Sequence, residues 1–253
     1  KDFKMTNIVI CGANGKMGQT IYRCVRDRDD CKIIGGVDLN TEKYADFPIY
    51  SSVSELPEKP DVIIDYSHPS CLSSLLEYCK TNGTPVVLAT TGYSDEQISE
   101  IKKAASQIPV FFSWNMSLGI NLLVELAKKA TAILGDKFDI EIVEKHHNQK
   151  IDAPSGTALM IANAINETRN NEMNYVYDRH SQRKKREDNE IGIHSVRGGT
   201  IVGVHEVLFA GNDETITISH SAASKTVFAE GSVNAAIFIK NKEAGLYDMN
   251  SII

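Results

Sequence analysis

The sequence predicts an α/β protein: an N-terminal doubly wound domain with a parallel sheet, followed by a smaller α+β domain. Three observations carry this prediction. Up to Trp114, short and continuously apolar runs alternate with helical patterns, as buried parallel strands and their crossover helices do. After Trp114 the strand-like segments alternate apolar with polar residues, which suits a sheet with one wet face. A length of 253 residues accommodates one large domain or two modest ones.

In order along the chain, NIVICG (residues 7–12) reads as a buried strand and residues 16–26 carry helical periodicity. Further strands are predicted at KIIGGVD (32–38), DVIIDYS (61–67), TPVVLAT (84–90) and IPVFFSW (108–114), with helices over 70–80 and 94–106 between them. Right-handed crossovers make a doubly wound sheet the default way to connect such a series. A long amphipathic helix over 118–134 then leads into KFDIEIVEKH. There Asp139, Glu141 and Glu144 interleave with Phe138, Ile140 and Ile142, the pattern of an antiparallel sheet with its acidic side in water. A helix follows from about Ser155 to Thr168, then the polar stretch DRHSQRKKREDNE and three strands, IGIHSVR, TIVGVHEVLF and ETITISHS. A last helix near 227–240 is placed to return to the first domain. The basic run from Arg179 to Arg186 reads first as a solvated loop that adds positive potential to its surroundings.

Composition excludes several classes. With 42% hydrophobic and 24% charged residues the chain is an ordinary globular protein, and a net charge of -6 argues against a general nucleic-acid binder. No apolar run approaches the roughly 18 residues of a membrane span, and the N-terminus lacks a signal-peptide core, so a cytoplasmic location is expected. Met5 is a candidate natural start, residues 1–4 then being a remnant of expression. The five cysteines, Cys11, Cys24, Cys31, Cys71 and Cys79, include no Cys-x-x-Cys pair. They read as buried or half-buried free thiols rather than a disulfide framework or a zinc site.

The segment CGANGKMGQ places Gly12, Gly15 and Gly18 directly after the first strand and at the start of a helix. This G-x-x-G-x-x-G spacing is a variant of the dinucleotide fingerprint and marks a Rossmann-type domain. Gly12 permits the tight turn, Gly15 lets a pyrophosphate approach the backbone, and Gly18 lets the helix pack against the strand. The helix N-terminus supplies N–H groups and the positive end of its dipole. Asp38, twenty residues beyond Gly18, ends the second strand where a carboxylate accepts hydrogen bonds from the adenosine ribose hydroxyls. That carboxylate repels a 2′-phosphate, and Leu39 offers no guanidinium to hold one, so NADH is favoured over NADPH. Lys16 and Lys43 are the nearby cations able to compensate. Beyond the carboxyl ends of the later strands lie YSHPS, ATTGYS and SWNMSLG, small, polar or aromatic as a nicotinamide-ribose pocket requires. The last of these includes Trp114 and Asn115.

The densest chemistry sits in EKHHNQKIDAPSGTA, from Glu144 to Ala158. His146 and His147 are adjacent, so on a strand they face opposite sides, and at most one points into a cleft while the strand continues. Lys150 and Asp152 lie in irregular chain, since Pro154 bars a helix before it. Ser155 can cap the next helix, with Gly156 and Thr157 in its first turn, a place for a carboxylate. A histidine and a lysine beside an anion site suit a small acidic substrate, the histidine as proton donor and the lysine as fixed charge. Adjacent histidines do not chelate one ion from a strand, and no metal is expected.

EIVEKHHNQKIDAPSGTA resembles the signature of bacterial dihydrodipicolinate reductases, also called 4-hydroxy-tetrahydrodipicolinate reductases, enzymes of the diaminopimelate/lysine pathway. The resemblance extends over nearly the whole chain through GANGKMG, DYSHP, ATTGYS, SWNMSLGIN, RGGTIVGVHEV and SHSAASKTVFAEG. It implies NAD(P)H-dependent reduction of a cyclic, unsaturated dicarboxylate, with His146 as proton donor and Lys150 as its catalytic partner. It further implies that His147 contacts substrate and that Gly156 with Thr157 binds a substrate carboxylate; Ser155, at the same helix start, is counted with them as a candidate substrate-binding residue. Gly12, Gly15, Lys16, Met17, Asp38, Ala89, Thr90, Thr91, Ser113, Trp114, Asn115, Met116, Lys225 and Phe228 fall in its cofactor-binding segments. The implied organisation is a dinucleotide-binding domain of residues 1–117 and 228–253 and a substrate-binding and tetramerisation domain of residues 118–227. That second domain carries an open mixed sheet, joins a homotetramer through its sheets, and closes with the first over ligands.

The chain departs from the family pattern at three places. Val204 stands where a glutamate is common, with Glu206 close by. Lys16 replaces an arginine of many relatives, and Leu39 lacks a basic residue found in some. These departures bear on cofactor preference rather than reaction class. Two rival readings compete. Another two-domain amino-acid dehydrogenase, acting on aspartate or diaminopimelate, does not need the histidine-rich segment. A non-catalytic dinucleotide sensor keeps the glycine turn and has no use for His146 with Lys150.

Overall fold

The structure, a computed structural model, describes residues 5–252, so the candidate remnant at 1–4 lies outside the described residues. The first unit runs to Leu118 and resumes at Lys225; the second spans Gly119–Ser224. In chain order, the first unit contains β1 (Thr6–Cys11), α1 (Lys16–Arg26), β2 (Cys31–Val37), β3 (Ile49–Tyr50), β4 (Val62–Asp65), α2 (Leu72–Asn82), β5 (Val86–Leu88), α3 (Asp95–Ala104) and β6 (Pro109–Phe112). The second is built from α4 (Leu118–Leu134), β7 (Asp139–His146), α5 (Gly156–Thr168), β8 (Asn174–Val176), β9 (Glu190–Arg197), β10 (Gly203–Ala210) and β11 (Thr215–Ala222). The chain then returns to the first unit with α6 (Thr226–Ile239) and β12 (Gly245–Tyr247).

The first unit is a seven-stranded sheet in the order β12-β6-β5-β4-β1-β2-β3, and its strands pair in parallel among the described residues. Its central strands are apolar throughout because both faces are covered. One core cluster joins Ile8, Ile10 and Ile64 to α1 and α6, through residues such as Ile21, Val233 and Ile239. The other joins Val9, Ile63 and Val110 to Leu75, Leu76 and Ile101 of α2 and α3. The strand order reverses between β1 and β4, the switch point at which open sheets of this kind leave a crevice.

The second unit is a five-stranded sheet in the order β11-β10-β7-β9-β8. The sheet is mixed, as expected for this domain, rather than wholly antiparallel as the alternation in β7 taken by itself suggests. β7 pairs antiparallel with β10 and parallel with β9, and β8 is also parallel to β9. The parallel pairs arise because α5 and the polar stretch carry the chain back before β8 and β9. One face packs Ile140, Ile142, Ile191, Ile193, Val207 and Phe209 against Leu123, Ala127, Ile161 and Ile165 of α4 and α5.

Two expectations about charge are corrected. Glu144 does not share the wet side with Asp139 and Glu141; it has the parity of Ile140 and Ile142 and is fully buried. The basic run is not wholly solvated. Arg179 donates to Glu190 (2.8 Å) and Glu141 (2.5 Å), and Arg186 to Asp139 (2.8 Å) and Glu141 (3.2 Å), on the side of β7 opposite the helices. All five cysteines are free; Cys11, Cys31 and Cys79 are buried and Cys24 is half-buried, while Cys71 is exposed rather than half-buried.

Candidate active site

In the first unit the glycine turn is shaped by backbone contact. Gly12 adopts φ +76°, in the left-handed region, and a Cβ there would strike the Tyr66 carbonyl. A Cβ on Gly18 would strike the carbonyls of Gly12 and Ala13, so α1 seats on the turn only with glycine at that position. Gly15 caps α1 from an extended conformation, and a Cβ there would approach only the Gly12 carbonyl. The turn therefore offers bare backbone at a helix start. A cleft of about 340 Å³ opens there, lined by Gly12, Gly15, Asp38, Leu39, Asp65 and Ser67 among others. Asp38 accepts from the backbone N–H groups of Asn14 (2.9 Å) and Asn40 (3.1 Å), which fixes its carboxylate at the cleft edge. Leu39 beside it is 96% exposed and supplies no charge.

The sequence reading missed Asp65, at the carboxyl end of β4. It is buried and accepts from Ser67 Oγ (2.5 Å), Thr90 Oγ1 (2.8 Å) and Tyr93 Oη (3.2 Å), tying two loops to one carboxylate. Burial pushes its carboxyl up, opposed by the bonds from Ser67 and Thr90. Thr90 is thus committed to Asp65, and Ala89 is buried beside it while Thr91 is exposed. Lys16 is exposed at the first position of α1, and Met17 packs partly into the core. Ser113 Oγ donates to the Asn115 carbonyl (2.9 Å), and the Asn115 side chain accepts from Ser117 N–H (2.8 Å). Trp114 is 63% exposed with its ring against Phe112, whereas the Met116 side chain lies in the core. Lys225 is exposed at the start of α6, and Phe228 packs against the core. Of the predicted cofactor residues, Gly12, Gly15 and Asp38 share the cleft lining; the others sit on neighbouring loops and helix starts.

In the second unit the helix-covered face of the sheet changes character along β7. Its first rows are apolar: Ile140 faces Phe209 and Ile191, and Ile142 faces Val207 and Ile193. In the next row Glu144 lies between His205 and Ser195; beyond it His146 pairs with Arg197. A buried polar cluster thus begins where the hydrophobic core ends. Glu144 accepts from Arg197 Nη1 (2.8 Å) and Nη2 (2.7 Å), His146 Nδ1 (2.6 Å) and Ser155 N–H (3.1 Å). Arg197 Nη2 also donates to the Asp152 carbonyl (2.7 Å), which ties the irregular link to β9.

Burial alone would push the Glu144 carboxyl up, but its bonds from Arg197 and His146 outweigh that and hold it down at about 2. An ionised Glu144 can only accept, so His146 carries its neutral-state proton on Nδ1 and leaves Nε2 as its other proton site. Gly203 faces that nitrogen: a Cβ there would come within 3.2 Å of it. Burial moves His146 below the ordinary histidine range, with Glu144 pulling upward and Lys150 and Arg197 adding to the fall. The His205 ring meets His146 edge-on at 5.2 Å between centroids, and burial first, then His146, pushes it down to about 4.

Ser155 caps α5 as expected, accepting from Ala158 N–H (3.1 Å). The residue is 2% exposed and its hydroxyl also shares a hydrogen bond with His205 Nε2 (3.0 Å), so the side chain is engaged inward. Gly156 is exposed and Thr157 half-buried in the first helical turn, whose N–H groups point away from the helix. His147 is half-buried at the end of the strand, and Lys150 Nζ lies 2.8 Å from Asp152 Oδ1. Among the described residues no group of three or more His, Cys, Asp or Glu is placed to hold a metal ion, and no helix is long and apolar enough to cross a membrane.

Comparison with known proteins bears on both units. A family model described as "Dihydrodipicolinate reductase, N-terminus" matches residues 6–116, and one described as "Dihydrodipicolinate reductase, C-terminus" matches residues 119–253. A protein named 4-hydroxy-tetrahydrodipicolinate reductase from Caldanaerobacter subterraneus is 49% identical over 98% of this chain and 98% of its own. One of the same name from Clostridium tetani is 45% identical over 99% and 98%. Among solved structures, a dipicolinate-bound dihydrodipicolinate reductase from Paenisporosarcina superposes with a TM-score of 0.82 at 28% identity, covering 99% of this chain and 100% of that one.

Proposed function

The chain belongs to the dihydrodipicolinate reductase family, and from that membership we propose that it reduces 4-hydroxy-tetrahydrodipicolinate to tetrahydrodipicolinate in the diaminopimelate/lysine pathway. The single observation that carries the chemistry is the polar end of the second sheet. There a histidine bonded to a buried, ionised carboxylate sits in the same unit as a capped helix start that can receive an anion.

The glycine turn, the α1 N-terminus and Asp38 would hold the dinucleotide, with NADH favoured over NADPH because Asp38 repels a 2′-phosphate. When bound, the reduced nicotinamide would supply a hydride to the unsaturated ring left once the 4-hydroxyl departs as water, so that hydride and proton enter as one water leaves. The first turn of α5, at Gly156 and Thr157, would receive one substrate carboxylate through N–H groups, and His147 would contact the substrate. Lys150 would balance substrate charge, exchanging Asp152 for it. His146 would deliver the proton from Nε2. Its lowered proton affinity is reversed when a dianionic substrate arrives, because neighbouring negative charge favours the imidazolium. Glu144 meanwhile accepts from Nδ1–H. We also place the protein in the cytoplasm and read it as a homotetramer, as its family implies.

The test is oxidation of NADH and NADPH by the full chain with freshly generated cyclic substrate. We expect turnover with both, a kcat/KM ratio of NADH to NADPH above one, and competitive inhibition by pyridine-2,6-dicarboxylate. Oxidation of neither cofactor would leave a non-catalytic dinucleotide sensor; a strong NADPH preference would overturn the role given to Asp38.

A further inference from the structure

The buried ion cluster contains more than a proton donor needs. A histidine can be oriented by a backbone carbonyl, yet His146 is bonded to a carboxylate at 2.6 Å, and that carboxylate is itself gripped by both terminal nitrogens of Arg197. The fork-on-carboxylate geometry is the most directional ion pairing available to side chains. A fourth bond, from Ser155 N–H, fixes the same carboxylate to the start of α5. Glu144 therefore has no freedom to turn, and the His146 ring is held by a rigid partner.

We propose that Glu144 and Arg197 form a positioning pair for His146: Glu144 holds Nδ1–H inward so that proton exchange occurs only at Nε2, and Arg197, by sharing the carboxylate, limits the negative charge it offers the ring. This rests on reading His146 as the proton donor. Without Glu144 the imidazolium would lose its carboxylate partner. Without Arg197 the whole carboxylate charge would fall on His146, which would then stay protonated with or without substrate. The pair keeps the ring between these extremes, so that the arriving substrate decides its state.

The charged and titratable groups around His146 are few. Glu144 lies on its own strand, Arg197 on β9 and His205 on β10, while Lys150 acts from the link before α5 with Asp152 as its partner. His205 touches the ring edge but bonds to Ser155 rather than to His146. Lys150 and Arg197 both oppose protonation, and Glu144 is the group that favours it. Changing Glu144 or Arg197 should therefore move His146 in opposite directions. A pair serving only to hold the fold together would not produce that result.

The experiment titrates the histidine rings of isotope-labelled, full-length protein by NMR, identifying the His146 resonance by its absence from His146→Gln. Glu144→Gln should lower the His146 pKa by about 1 or more, and Arg197→Gln should raise it by a similar amount. In turnover, Glu144→Gln should reduce kcat about tenfold or more with KM within about threefold. Arg197→Lys, which keeps the charge, should restore the His146 pKa toward its original value. Shifts of the same sign, or no shift in either variant, would overturn the inference. Should Glu144→Gln not fold, Arg197→Gln decides alone: a raised His146 pKa supports the pair, and an unchanged or lowered one rejects it. Because the titration does not use turnover, it stands apart from the role of His146. Undiminished activity in His146→Gln would remove the proton-donor reading while leaving the ring titration to report on the pair.

Discussion

A carboxylate taken wholly out of water must recover its lost hydration from fixed donors, and Glu144 does so through donors that include Arg197, His146 and the Ser155 N–H. The sequence held a partial signal for this. Phe138, Ile140 and Ile142 set an apolar parity, and continuing it by two lands on Glu144 and then His146. Grouping Glu144 with Asp139 and Glu141 by charge, rather than by parity, hid the buried acid. Arg197 and His205 were less legible, because they reach Glu144 from strands more than fifty residues away. The burial of His205 and Glu144 has a pH consequence. Folded His205 titrates at about 4 against an ordinary 6.5, so across that window the unfolded chain holds more protons and stability rises with pH. Glu144, at about 2 against 4.5, acts with the same sign: its contribution is present above 4.5 and is lost as pH falls toward 2. We expect His205 alone to cost on the order of 3 kcal/mol between pH 6.5 and 4. Urea midpoints followed by circular dichroism at several pH values should therefore fall steadily on acidification; a flat profile would refute the assignment.

At the scale of elements, helices with capping residues or sustained periodicity were read closely. α1 and α4 have the predicted bounds, and Ser94 and Ser155 cap α3 and α5. The short strands β3, β8 and β12 went unread, since two or three residues carry no periodicity and exist only by pairing with a neighbour. The parallel pairing of β7 with β9 was equally hidden, because alternation reports which side is wet and not which strand lies beside it. Gly231 shows tertiary contact overriding local preference. It lies inside α6, where alanine is the better helix former by about 1 kcal/mol. A Cβ there would strike the Met116 carbonyl at the end of the predicted nicotinamide-side loop. We expect Gly231→Ala to lose about 1–3 kcal/mol net and to lower Tm; a raised Tm would show that the contact yields.

For the whole molecule, the succession of continuous and then alternating strands was enough to separate a doubly wound unit from an α+β unit. The glycine turn and the histidine-rich link are the segments on which the proposed chemistry of each unit rests. Strand order was not readable, although it is what brings Gly12, Asp38 and Asp65 to one cleft in the first unit. The division of labour proposed for the two units makes a prediction that neither would make alone. With dinucleotide binding assigned to the first unit and proton delivery to His146 of the second under that proposal, the two functions should separate under mutation. The most direct test is His146→Gln, with kcat and NADH affinity measured on the same preparation. We predict a loss in kcat of about a hundredfold or more with NADH binding unchanged; near-normal turnover would contradict His146 as the proton donor.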